Sequence, residues 1–240
     1  MIEQILPSSQ GVGALSAEAV ALERLLAERH SCRAFLPDEV ERGTLESIFT
    51  MAQRAASWCN SQPWQVTVVS GATIRRVRDA LLSPPAAGPI RESDIPFPSE
   101  YKGVYLERRR ECGFQLYNAV GVPRGDTEGY KRQTAENFRF FGAPHAAIIT
   151  TEPSLGTYGA VDVGGYVQIL LLAMQAHQIG AIAQAALANF SPLLKKLINI
   201  PSDRNVVCGV SFGYEDSSHR ANSFRTSRAP LSDAVTWVDN

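Results

Sequence analysis

Arg29-His30-Ser31-Cys32-Arg33-Ala34-Phe35 and, one helix further on, Ala56-Ser57-Trp58-Cys59-Asn60-Ser61-Gln62-Pro63-Trp64 are the stretches whose reading decides the fold. The first is a basic heptad at the junction of two helices. Ser16 can cap a helix that runs to about Arg29, with Leu22, Leu25 and Leu26 on its apolar side. Pro37-Asp38 opens the next, with Asp38 and Glu41 spaced as a capping box. Val40, Leu45, Ile48, Phe49, Ala52 and Ala56 then recur at helical spacing and predict a buried stripe. At such a junction backbone N–H groups lack helical partners. Arginine adds a permanent charge and a bidentate fork suited to phosphate. The second stretch is an aromatic-polar nonamer. Pro63 forces an extended entry, and Trp64 begins a β-branched run to Val69 that reads as a strand.

Working outward, Thr73 to Leu82 reads as a short helix, and Ser83 to Ser99 is dense in Pro, Gly and Ser. That loop begins an excursion, 83–143, with the composition of a lid and with helices expected from Glu100 to Ala119 and from Glu128 to Phe140. Ala146 to Thr151 and Val206 to Phe212 read as strands. Gly156 to Ile179 is a helix lined with Gly159, Ala160, Gly164 and Gly165, which let another backbone approach closely in the core or at a subunit contact. Ser191-Pro192 starts a short helix to Ile198. Helices outnumber strands, so the class is α+β, in a single domain over 1–240.

The 240 residues are 45% hydrophobic and carry a formal charge of −1, so no global field draws nucleic acid or anionic lipid. Cys32, Cys59, Cys112 and Cys208 form no C-x-x-C, and neither His145 nor His177 has a ligand partner at i+4, so no metal site is expected. The start of the chain lacks the cationic and apolar regions of a signal peptide, and the longest apolar run, Ile169 to Met174, is too short to cross a bilayer. These features predict a cytoplasmic protein without a membrane span.

The heptad matches R-x-S-x-R-x-F and the nonamer matches A-P-S-x-x-N-x-Q-P-W, with Ala55 or Ala56 in place of the proline. In that order the two segments resemble the N-terminal cofactor segments of the nitroreductase family. Two later stretches are similar to the same family: Gly180-Ala181-Ile182-Ala183-Gln184-Ala185-Ala186-Leu187, and Arg225-Thr226-Ser227-Arg228-Ala229-Pro230. The resemblance spans Ala21 to Trp237 and is thinnest between Ser83 and Ala143. It implies a central, mostly antiparallel sheet flanked by helices, in an intertwined homodimer that holds FMN at its interface. By the same resemblance Arg29, His30 and Ser31 meet the phosphate or ribityl chain and Arg33 the pyrimidine edge. Ser57, Trp58 and Asn60 reach a flavin held mainly by the other subunit. Gln184, Ala185 and Ala186 pass flavin N5 and O4, with a backbone N–H of Ala185 or Ala186 donating to N5. Arg228, with Arg225 in reserve, closes over the phosphate. Ala185 stands where many relatives carry an acid, which removes one charged substrate contact.

The implied activity is ping-pong hydride transfer from NAD(P)H through the flavin to a small electrophilic acceptor, a nitroaromatic or a quinone. Arg124, Asn137 and Phe141, with Phe140 and the Arg108-Arg109-Arg110 run, are candidates for the substrate side. Dehalogenation and flavin fragmentation occur on the same fold and stay open, as does a flavin-binding protein without turnover. One motif points elsewhere. Gly209-Val210-Ser211-Phe212-Gly213 is the G-x-S-x-G of a serine hydrolase, with Asp216 and His219 close behind, although no helix pattern follows it.

Overall fold

The computed structural model describes residues 15–83 and 92–239. Four strands, β1 (Gln65–Ser70), β2 (His145–Thr151), β3 (Gly180–Gln184) and β4 (Asn205–Gly213), form one sheet in the order β1-β2-β4-β3, every neighbouring pair antiparallel. β2 is buried along its whole length and alternates between two cores. Ala147 and Ile149 face a cluster built with α2 (Arg42–Ala52) and α6 (Gly156–Ala176), in which Ile48, Leu170 and Met174 are fully enclosed. Ala146 and Ile148 face a second cluster built with α3 (Gly71–Leu82) and α7 (Ser191–Ile198), through Val77 and Leu194, and joined by Leu187 from the turn after β3. Strand periodicity of two thus puts one helical layer on each side of the sheet. Each fully buried Ile or Leu contributes about 1.5–3 kcal/mol.

The helices follow their local signals with two exceptions. Ser16 caps α1 (Ala17–Glu28), its hydroxyl accepting from the Ala19 N–H at 3.2 Å, but α1 buries none of its residues and Leu22 and Leu26 are 49% and 55% exposed. The expected Pro37-Asp38 start is the second. Leu36 N–H donates to the Tyr214 carbonyl, Phe35 bridges Glu215, and Val40 N–H donates to His145 Nε2 at 2.9 Å. These long-range bonds hold the chain extended, so α2 begins at Arg42 with no side-chain cap.

The 83–143 excursion is mostly helix: α4 (Gly103–Ala119) and α5 (Thr127–Glu136), the latter capped by Asp126 on the Gly129 N–H. Its Pro-rich start, 84–91, lies outside the described residues. Asp94 then fastens the returning chain, accepting from the Ser191 hydroxyl, from Lys195 Nζ at 3.0 Å and from Val206 N–H at 2.7 Å. Burial opposes ionisation of Asp94, but these donors hold its pKa below the usual value.

A window over Pro153–Ala176 is long and apolar enough to pass as a membrane span, longer than the Ile169–Met174 run suggests. In the structure it holds the core helix. On one side of it Val163, Tyr166 and Leu170 are buried, and a Cβ at Gly159 would lie 2.8 Å from Thr151 Oγ1, so the helix touches β2 there. On the other side Val161, Gly164, Gly165, Gln168 and Ile169 form an exposed stripe at helical spacing.

Candidate cofactor site

The heptad runs along the open edge of β3. Ser31 bridges Ala181, and Cys32 N–H donates to the Ala181 carbonyl at 3.1 Å. Cys32 is fully buried, its thiol pushed up to about 12 by burial, so it is a core residue and no nucleophile. Asn222 gathers the rest of the segment. Its Oδ1 accepts from Arg33 N–H at 2.7 Å, and its Nδ2 donates to the Ala34 carbonyl at 3.0 Å and the Asp216 carbonyl at 2.9 Å. Nothing in the local sequence marks Asn222; its role exists only once β4 has delivered the chain beside the heptad.

The cations differ in the partners they meet. Both ring nitrogens of His30 face acceptors within the chain, Nδ1 the Glu28 carbonyl and Nε2 Glu215 Oε1, each at 3.1 Å, so its side chain is not free for a phosphate. Arg225 Nη1 donates to the Asn222 and Phe224 carbonyls and serves the backbone. Arg29, Arg33 and Arg228 enter no ion pair among the described residues, although Arg33 Nη1 donates to the Ser31 carbonyl at 3.2 Å and Arg228 Nη1 donates to Thr226 Oγ1 and the Ser227 carbonyl, each at 2.8 Å. Arg33 lies over the Phe224 ring at 5.6 Å, and burial holds its pKa below the usual arginine value. Burial, with repulsion from Arg228, does the same to Arg29. Arg29 and Arg228 are therefore close enough to repel and neither is in an ion pair among the described residues, although Glu111 lines the cleft beside Arg228; an anion between the two guanidinium groups would relieve that repulsion. Arg228 also lines a cleft of about 470 Å³ with Arg108, Cys112, Gln115 and Thr226.

The nonamer is built differently. Cys59, Asn60 and Gln62 adopt positive φ of 50°, 55° and 46°, a tight left-handed turn. Gln62 N–H donates to Ser57 Oγ at 2.9 Å, and Gln62 Nε2 donates to Asn60 Oδ1 at 3.1 Å. Each of the two oxygens thereby accepts one bond. Ser57 O–H and Asn60 Nδ2–H₂ keep their donors, which suit carbonyl or hydroxyl oxygens. Asp162 of α6 accepts the Trp58 N–H at 3.2 Å, and the Trp58 ring stands edge-on to Tyr158 at 4.4 Å while remaining 57% exposed. Behind the turn, buried Arg204 donates to the Pro63 carbonyl at 2.6 Å and fixes where the strand begins. No hydrogen bond or aromatic pair among the described residues joins the nonamer to the heptad.

Beyond β3 the chain folds back as a 3₁₀ turn over Ala185–Asn189 with Ala185 exposed. Gln184, expected at the cofactor, points away: it is 3% exposed and bonded to Ser211 and Asn137. Asn137 and Phe141, expected on the substrate side, also serve the fold. Asn137 closes α5 and meets Gln184, and Phe141 is buried with φ of 52°. Arg124 is exposed, its guanidinium 4.4 Å from the Phe114 ring centroid.

The hydrolase motif dissolves in the same region. Ser211 is fully buried and donates to Gln184 Oε1. Asp216 accepts from Ser218, and His219 Nδ1 accepts from Ala221 N–H. Both glycines are steric: a Cβ at Gly209 would run into Leu187, and one at Gly213 would lie 2.7 Å from Pro144. Gly-x-Ser-x-Gly here is the packing of β4 against two loops.

Comparison with known proteins agrees with this layout. The Nitroreductase family model matches residues 26–214. The chain is 38% identical over 220 residues to nitroreductase NfnB of Mycolicibacterium smegmatis, covering 91% of this chain and 93% of that one. It is 32% identical to a 4-nitrobenzoate reductase of a Nocardioides species over 91% of this chain and 90% of the other. Among solved structures it superposes on FMN-dependent NfnB from Mycobacterium smegmatis, crystallised with NADPH, with a TM-score of 0.85 at 35% identity, covering 92% and 100% of the two chains. A fold, a cation set and a pair of motifs that converge in this way place the chain in the nitroreductase family.

Proposed function

We propose that the chain is an FMN-dependent oxidoreductase that moves a hydride from NADPH or NADH to a nitroaromatic acceptor and works as a homodimer in the cytoplasm. The observation that carries this is the set Arg29, Arg33 and Arg228, none of them in an ion pair among the described residues, in a chain whose relatives include an FMN-dependent nitroreductase bound to NADPH. The residues present suit FMN. Arg29 and Arg228, uncompensated, fit its phosphate dianion, with the Ser31 hydroxyl beside them. Arg33, buried and stacked, suits the charge that builds on a reduced flavin ring. FMN, when bound, supplies the hydride chemistry itself. The protein holds the cofactor, offers a backbone donor at Ala185 or Ala186, and excludes water.

Two features support a dimer. The Ser57 and Asn60 donors meet no acceptor among the described residues, and the Trp58 ring, beside Tyr158, stays 57% exposed. The α6 stripe with Val161 and Ile169, and the outer side of α1 with Leu22 and Leu26, expose apolar surface that a second copy would cover. Four unpaired cysteines suit a reducing compartment. The relatives named above reduce nitro groups, which favours a nitroaromatic over a quinone or a halogenated substrate.

Purified protein is expected to be yellow, to sediment as a dimer, and to lose its flavin absorbance with NADPH or NADH under anaerobic conditions. 4-Nitrobenzoate should then restore the colour. Protein that neither retains nor takes up FMN would remove this reading, and labelling by a fluorophosphonate probe would revive Ser211.

A further inference from the structure

Gln184 is the buried polar side chain in this region that the cofactor reading leaves without a role. Its surroundings define it. Ser211 on β4 is fully buried and donates to Gln184 Oε1. Gln184 Nε2 donates to the Asn137 carbonyl at 2.9 Å and lies 3.3 Å from Asn137 Oδ1. The backbone carbonyl of Asn137 can only accept, so the amide must face it with nitrogen, and its oxygen then necessarily faces the Ser211 hydroxyl. One amide thus has a single orientation, set from both ends.

We infer that Gln184 is a positioning residue that couples the end of α5 to the turn following β3. It is the last residue of β3, and the next residue, Ala185, opens the turn. Its backbone fixes where that turn leaves the sheet, paired with Gly209 across the ladder. Its side chain fixes where α5 ends. The turn is also held from β4, because the bare Gly209 lets Leu187 sit against the strand. A shift of the α4–α5 excursion therefore pulls on the Ala185–Ala186 amides through one buried hydrogen bond. A satisfied network in a low-dielectric interior transmits such a shift because breaking any member leaves a buried group unpaired. The sequence supplies each part separately; only the fold brings residues 137, 184 and 211 together.

The inference rests on the reading that the Ala185 or Ala186 N–H faces flavin N5, and the test separates the two. Gln184→Met keeps the side-chain length and removes both bonds. In the flavin-free chain, amide exchange at 137–141 and at 185–189 should quicken together, with little change in β1. In the holoprotein carrying ¹⁵N-labelled FMN, the N5 resonance should move toward that of a flavin lacking an N5 donor. The acceptor KM should rise roughly fivefold, the size of a network coupling, with less change in reduction by the nicotinamide. Asn137→Ala keeps the backbone carbonyl and should leave the N5 resonance in place. If Gln184→Met does not fold, Gln184→Glu, which keeps the length and the acceptor for Ser211 but sets an oxygen in place of the donor against the Asn137 carbonyl, is read in the same way. A folded variant with unchanged N5 resonance and unchanged acceptor KM overturns the positioning role alone. Wild-type protein that binds FMN without any N5 donor overturns both the role and the reading beneath it.

Discussion

Cys32, at the centre of the heptad, is fully buried, whereas Trp58, near the start of the nonamer, is 57% exposed. The heptad lies against β3 and is stitched by Asn222, so its backbone is part of the chain's own architecture while its arginines enter no ion pair among the described residues. The nonamer turn is tied mainly to itself and to one carboxylate of α6, and it presents its polar donors and an indole outward. One segment conceals its backbone and offers charge; the other holds a strained backbone rigid and offers a surface. A site can thus be divided into a part each chain completes and a part it only prepares.

The comparison can be broken in order of expected effect. Asn222→Ala should cost the most, about 3 kcal/mol, because it strands the Arg33 N–H and the Ala34 and Asp216 carbonyls. Chemical denaturation would show it, and a loss below about 1 kcal/mol would mean that the heptad is held by something other than Asn222. Next, Arg29→Gln should weaken FMN binding by about 2 kcal/mol, roughly thirtyfold, by fluorescence titration. The same substitution should leave the melting temperature of the flavin-free chain unchanged or raised, because Arg29 and Arg228 repel one another there. A destabilised apoprotein with unaltered FMN affinity would make Arg29 structural and collapse the distinction between the segments.

Asp162→Ala should cost about 1 kcal/mol and act on the nonamer side, speeding amide exchange at Trp58 while leaving Cys32 protected. The smallest effect is set by pH. Val40 N–H donates to His145 Nε2, so the proton of the neutral ring sits on buried Nδ1, which finds no partner among the described residues. Burial, partly offset by Glu39, holds the His145 pKa below its ordinary 6.5. The unfolded chain therefore takes up a proton that the folded chain refuses. This contribution to stability is complete above about pH 6.5 and declines as the pH falls from there through the folded value. Denaturation at pH 7.5 and pH 5.5 should show that loss, and it should vanish in His145→Gln.

The legible parts of the molecule were those carried by local rules. Short apolar runs gave β2 and β4, Ser16 gave the start of α1, and the two motifs gave the family by likeness. What stayed hidden depended on residues far apart. Asp38 had the spacing of a cap, but Leu36 and Val40 are claimed by Tyr214 and His145, and no local pattern reports that competition. His30 read as a phosphate ligand until Glu215 arrived beside it. Gln184 sits in a stretch whose likeness points at the flavin, yet a strand places alternate side chains on opposite sides, and its own side chain faces the core.

Gly209 carries a consequence for anyone who would reshape acceptor preference by mutating the turn after β3. Since any side chain there would collide with Leu187, positions 187 and 209 are one choice rather than two. Libraries that vary the turn while holding the strand constant explore only shapes that keep Leu187 in its slot. Pairing Leu187→Ala with Gly209→Ala opens turn geometries that neither substitution reaches alone, so diversity in selectivity should be sought first across that strand-to-turn pair.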